Sequence, residues 1–229
     1  MSNIEESQMI INDDIVFIHL QKCGGTFIKH MMEQNMNAVN IRPEHNGFRD
    51  IKPSDKDKLV VGTIRNPYAW YVSLYHSHLP DADTSFFSEV FRGTNSFSEW
   101  VKKFLNTNHV VYHDLNFSAI SRLDVGPYTY RMIRCYGKDL KSPKNISTSD
   151  VVLGNIEILK TDNLAKDFVS LVEDKVGIDA AARTAILNAE RIHTSKHGHY
   201  SEYYDKEAYE LVSHKDRIIF EMFGYEHEQ

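Results

Sequence analysis

The chain has 229 residues, 41% hydrophobic and 25% charged, a balance that excludes a disordered chain and suits one sizeable core. A net charge of -6 argues against a general nucleic-acid binder, so any anion site must be local. No apolar run reaches the length of a membrane span, and two cysteines, Cys23 and Cys135, allow at most one disulfide.

The first residues, MSNIEESQ, are acidic and polar, unlike a signal peptide, and Met1 to Asp14 reads as a polar lead-in. The expectation is a cytoplasmic protein with reduced thiols, so the glycosylation patterns at Asn116 and Asn145 carry no weight. Ile15 to Ile18 is an uninterrupted β-branched and aromatic run, the pattern of a strand buried on both faces. His19 to Gly25 is a short polar turn ending in two glycines. From Thr26 the period changes: Phe27, Ile28, Met31, Met32 and Met36 fall at helical spacing. Strand, glycine turn and helix, with Lys22 in the turn, outline a phosphate site. The first amides of a helix lack partners within it, the helix dipole adds partial positive charge, and Gly24-Gly25 lets an anion approach the backbone. The plainer alternative is a tight turn beside a solvated lysine. The order of residues matches neither the Walker A loop, whose lysine follows its second glycine, nor the dinucleotide fingerprint.

Ala38 to Ile41 is a second, short strand candidate, and Arg42 to Lys58 is a polar loop that holds His45. Leu59 to Ile64 is another buried strand running into Arg65-Asn66-Pro67, where Asn66 suits an N-cap and Pro67 the first helical position. Arg65 therefore stands at the carboxyl end of a strand and the mouth of a helix, the edge where open α/β sheets bind ligands. Ser73 lies two turns along the same helix. Together they suit a second phosphate; the competing reading pairs Arg65 with a carboxylate and makes Ser73 a packing residue.

Farther on, Phe97 to Leu105 repeats at helical spacing, and His109 to Tyr136 reads as two short helices parted near Gly126-Pro127. Val151 to Lys160 is a third strand, followed by helices over Asn163 to Val176 and Ala180 to Glu190. A His- and Tyr-rich loop, Arg191 to Tyr204, leads to one final helix capped by Asp205 and ending near Phe223. No repeat or linker divides the chain, so residues 1–229 form one domain. The expected architecture is three-layer α/β, a mostly parallel central sheet with flanking helices and a P-loop-like strand–turn–helix phosphate site.

Two phosphate-like junctions in one chain are more specific than either alone, and here the sequence resembles a known family. Ile18-His19-Leu20-Gln21-Lys22-Cys23-Gly24-Gly25-Thr26 is similar to the I-H-x-P-K-T-G-G-T pattern of sulfotransferases that use 3′-phosphoadenosine 5′-phosphosulfate (PAPS), in their carbohydrate-type and bacterial branch. It departs from that pattern at Gln21 and Cys23. Arg65-Asn66-Pro67 with Ser73 resembles the family's second motif, R-[DN]-P and a serine eight residues after the arginine. Arg191 to Tyr225 and Val151 to Phe168 are also similar to family regions, whereas residues 80–150 match nothing specific.

The resemblance implies transfer of a sulfuryl group from PAPS to a hydroxyl or amine of a small-molecule or glycan acceptor, without a metal. Lys22 would neutralise charge on the leaving phosphate oxygen. The turn Lys22, Cys23, Gly24, Gly25, Thr26 and Phe27 would hold the 5′-phosphate, and Arg65 and Ser73 the 3′-phosphate. The loop at Lys196, His197 and Gly198 would close over the nucleotide. His45, in the loop between the motifs, is the first choice of general base, with His76 and His78 as rivals.

Other readings compete. A zinc site at His109/His113 or His193/His197 lacks a supporting pattern. Cys23 beside a helix N-terminus could be a nucleophile, but no partner base is placed for it. The tyrosines Tyr200, Tyr203 and Tyr204 are best read as packing under the C-terminal helix. The enzymatic alternative is an atypical nucleotide or small-molecule kinase. The non-enzymatic alternative is a nucleotide-binding module without turnover. Acceptor identity and oligomeric state are open.

Overall fold

A computed structural model describes residues 9–41, 47–83, 88–106, 124–139, 146–190 and 197–226. Strand β1 (Met9–Ile11) turns back through Asn12, whose side chain accepts from the amides of Asp14 and Ile15, into β2 (Ile15–Ile18). Helix α1 (Gly25–Asn35), strand β3 (Val39–Ile41), strand β4 (Leu59–Ile64) and helix α2 (Pro67–His78) follow. Next come α3 (Ser88–Phe91), α4 (Phe97–Asn106) and α5 (Pro127–Tyr136), then β5 (Glu157–Lys160). Helices α6 (Leu164–Lys175), α7 (Ala180–Asn188), α8 (Lys206–Lys215) and α9 (Arg217–Phe223) complete the order.

The five strands form one sheet in the order β3-β1-β2-β4-β5. β2, β4 and β5 are parallel, while β1 runs antiparallel to both β2 and β3. The sheet is therefore mixed. Its parallel half carries both phosphate-like turns, and its antiparallel half comes from Met9–Ile11, inside the stretch expected to be a polar lead-in. Three residues are too few to show a period, but Met9 and Ile10 are buried.

Alternation along the strands feeds two cores. Ile15, Phe17 and Val61 face α1, α6 and α7, meeting Ile28, Met32, Phe168 and Ile186. Val16, Ile18 and Val60 belong to the opposite core, with Trp70 and Tyr71 of α2, Trp100 of α4 and Tyr128 of α5. The result is the expected three-layer α/β arrangement.

Two element boundaries differ from expectation. The third strand is confined to Glu157–Lys160; residues upstream make only an isolated bridge between Gly137 and Leu153. The single C-terminal helix is two, broken at Asp216. That carboxylate is fully buried and accepts from Thr129 N (2.9 Å), Thr129 Oγ1 (2.7 Å) and Tyr71 Oη (2.6 Å). No helix of the described residues is long and apolar enough to cross a membrane.

Candidate functional site

Because β2, β4 and β5 are parallel and in register, their carboxyl ends open on one edge of the sheet. The Gln21–Gly25 turn leaves β2, Arg65 leaves β4, and Thr161-Asp162 leaves β5. The turn is tight: Cys23 N donates to Leu20 O, and both Lys22 (φ 61°) and Gly24 (φ 73°) are left-handed. For a lysine that backbone is uncommon and strained, and such strain is concentrated at functional turns. At Gly25 a Cβ would lie 1.9 Å from the His19 ring, so the packing of strand on helix alone demands glycine there. Phe27 N already donates to Gly24 O at 3.0 Å, which makes the amides of Gly24 and Gly25 the better donors to an anion at the helix mouth.

The second junction forms as its local sequence requires. Asn66 caps α2 by accepting from Tyr68 N at 2.9 Å, and Pro67 occupies the first turn. Arg65 is half-buried, and its Nη1 donates to Lys22 O at 3.4 Å. The two turns are thus in contact. Burial lowers the Arg65 pKa, opposed by the fields of Cys23, Tyr128 and Asp162. Ser73 is buried on α2, about 10 Å along the axis from the cap.

Helix α5 fastens both turns. Tyr128 Oη accepts from Arg65 N (2.8 Å), donates to Arg65 O (2.9 Å) and lies 3.2 Å from Cys23 Sγ. Its ring stacks on Trp70 at 4.5 Å, and Trp70 Nε1 donates to Gln21 O at 2.8 Å. Arg131 Nη1 donates to Gln21 Oε1. Gln21 and Cys23, which depart from the I-H-x-P-K-T-G-G-T pattern the turn resembles, both have side chains that meet α5. Tyr136 Oη completes the clamp on β4 by bonding Thr63 N (2.9 Å) and Thr63 O (2.7 Å). Sequence reasoning missed Tyr128 and Arg131, because their partners lie 63 and 110 residues away.

The thiol of Cys23 is fully buried, and burial pushes its pKa up to about 12, so it is a protonated packing group and not a nucleophile. Cys23 is left with only its backbone to offer a ligand. Neither cysteine forms a disulfide, and both are buried.

Of the three histidines considered as bases, His45 lies outside the described residues, as does Lys196. His78, the last residue of α2, is half-buried within the field of Lys22 and Arg131. Burial first, then those two cations, lower its pKa to about 4, with Asp81 opposing. His78 is therefore neutral at pH 7 with a lone pair to accept a proton. The stability held by the neutral ring is fully present above about pH 6.5 and is lost as pH falls toward 4. In a histidine-resolved NMR titration of the unliganded protein, the His78 signals are expected to stay unmoved down to about pH 5. A midpoint between 6 and 7 would contradict this setting.

His76 lies elsewhere. Its ring stacks on His197 at 5.1 Å and meets Tyr203 at 5.1 Å, and burial followed by His197 lowers its pKa. Gly198 N donates to Tyr203 Oη at 3.0 Å. The described end of the His-rich loop thus covers α2 one turn beyond Ser73. Tyr204 packs on Tyr68 and Phe97, as expected for core tyrosines. Among the described residues no group of three His, Cys, Asp or Glu could hold a metal ion; His109, His113 and His193 lie outside them.

No protein-family model matches the sequence, and no curated protein matches it. Among solved structures the chain is similar to mouse sulfotransferase SULT7A1 complexed with PAP, with 15% identity and a TM-score of 0.48 over 89% of this chain and 84% of that one.

Proposed function

We propose that the protein is a PAPS-dependent sulfotransferase acting on a hydroxyl or amine of a small-molecule or glycan acceptor. The observation that carries the reading is the contact between the two anion-type turns, Arg65 Nη1 on Lys22 O at 3.4 Å, at one edge of a parallel strand set. One ligand with two separated phosphates fits two joined turns better than a nucleotide with a single phosphate chain does. Gly24, Gly25 and Thr26 hold the 5′-phosphate at the start of α1. Arg65 and Ser73 hold the 3′-phosphate, and the segment with Lys196, His197 and Gly198 covers it.

Sulfuryl transfer proceeds by in-line attack, in which positioning and charge stabilisation supply most of the effect. Lys22 neutralises the oxygen that leaves with the 5′-phosphate. His45 or His78 takes the acceptor proton; burial and the fields of Lys22 and Arg131 make His78 the weaker base of the two. No metal is needed in this reading.

A kinase reading has one observation in its favour. Asp162, just past β5, puts a carboxylate within the field of Arg65 at the same sheet edge. Thermal stabilisation separates the two. 3′-Phosphoadenosine 5′-phosphate (PAP) at 100 times its Kd is expected to stabilise the wild type by roughly 2.7 kcal/mol without magnesium, and Arg65→Ala is expected to remove most of that shift. No shift with PAP, or a larger one with ATP and magnesium, would sink the sulfotransferase reading.

A further inference from the structure

We infer that Tyr128 is a positioning residue that sets the spacing between the two phosphate turns, and that this spacing makes the site selective for a ligand with two separated phosphates. The inference rests on the nucleotide site proposed above. Tyr128 touches neither proposed phosphate; it acts through the backbone of both turns. On one side its hydroxyl takes up both backbone groups of Arg65, at 2.8 and 2.9 Å. On the other it meets the Cys23 thiol at 3.2 Å, between Lys22 and the helix-mouth glycines. Its ring lies nearly parallel to Trp70, at 9°, and Trp70 holds Gln21 O. Arg65 Nη1 on Lys22 O closes the circuit. One phenol thus joins two turns that leave different strands, and the hydroxyl is fully buried, where an exchange for water is costly.

Burial raises the phenol pKa well above its ordinary value, so the hydroxyl stays a neutral group that both donates and accepts. Donating to Arg65 O while accepting from Arg65 N holds that residue's backbone in one conformation. The side chain that carries the guanidinium therefore leaves the strand end from a fixed place relative to Lys22. A ligand bearing two phosphates gains from that fixed distance as a chelate does; a ligand bearing one phosphate does not.

The experiment compares Tyr128→Phe with wild type, using calorimetric Kd values for PAP, adenosine 5′-phosphate and adenosine 3′-phosphate. Phenylalanine keeps the stack on Trp70 and removes only the hydroxyl. The PAP advantage over either monophosphate is expected to fall by at least tenfold, with each monophosphate changing less than threefold. A variant that melts earlier but keeps the wild-type ratio would show a merely structural tyrosine and overturn the inference. Trp70→Phe removes the bond to Gln21 O from the same circuit and is expected to lower the ratio in the same direction, which keeps the test decisive if Tyr128→Phe does not fold; an unchanged ratio in a folded Trp70→Phe would then overturn it. Wild type that binds PAP no better than the monophosphates would fail the nucleotide reading itself, and this inference with it.

Discussion

Lys22→Ala is expected to slow turnover of PAPS by about 10²- to 10³-fold while PAP affinity changes only a few-fold. The asymmetry follows from when the charge is needed. In the proposed complex the 5′-phosphate would already have helix-mouth amides for partners. The extra negative charge on the leaving oxygen exists only as the sulfuryl group departs, so a cation aimed there stabilises the transition state more than the ground state. The contact with Arg65 uses the Lys22 carbonyl and survives the substitution, so the architecture of the two turns is kept. The measurement is PAP release from PAPS in water, which needs no identified acceptor, alongside calorimetric PAP binding. A rate within threefold of wild type would remove Lys22 from the chemistry. Loss of PAP binding with no separate effect on rate would make it a binding residue only.

Asp216→Ala is expected to destabilise the fold by about 3–5 kcal/mol, a value in the large tail for single substitutions. The carboxylate is completely enclosed and accepts from three buried donors, Thr129 N, Thr129 Oγ1 and Tyr71 Oη. Removing it strands all three at once. It also frees the junction of α8 and α9 from α2 and α5, which together support the Arg65 turn. For a chain of this size that loss lowers the melting temperature by roughly 10 °C. Asp216→Asn retains an oxygen for Thr129 and is expected to lose about half as much. Thermal unfolding of the two variants checks both values; a loss below about 1 kcal/mol for the alanine variant would show that water or relaxation replaces the carboxylate.

The elements legible in the sequence are those whose cause is local. Ile15–Ile18 and Leu59–Ile64 are apolar on both faces because both faces are covered, and that condition writes itself into consecutive residues. Asn66-Pro67 announces the start of α2 because cap and first turn are neighbours in the chain. The phosphate-like outline of Lys22 to Thr26 was visible for the same reason. β1 was not, since three residues carry no period, and the break at Asp216 was not, since the apolar spacing runs through it unchanged.

Contacts between distant segments decided the rest. Arg65 meets Lys22 because parallel pairing of β2 and β4 brings their ends together. Gln21 and Cys23 look like flaws in a motif until α5 supplies Arg131 and Tyr128 opposite them. Which histidine stands near Lys22 depends on how α2 lies along the turn; in the sequence His76 and His78 are equivalent, and in the fold one faces His197 and the other the field of Lys22. By itself the sequence determined the two central strands, the capped helix starts and the residues carrying charge and hydroxyl groups, because periodicity and capping act within a few residues. Only the tertiary structure decided which of those groups converge, because convergence depends on strand pairing and on single side chains that bond across tens of residues of chain.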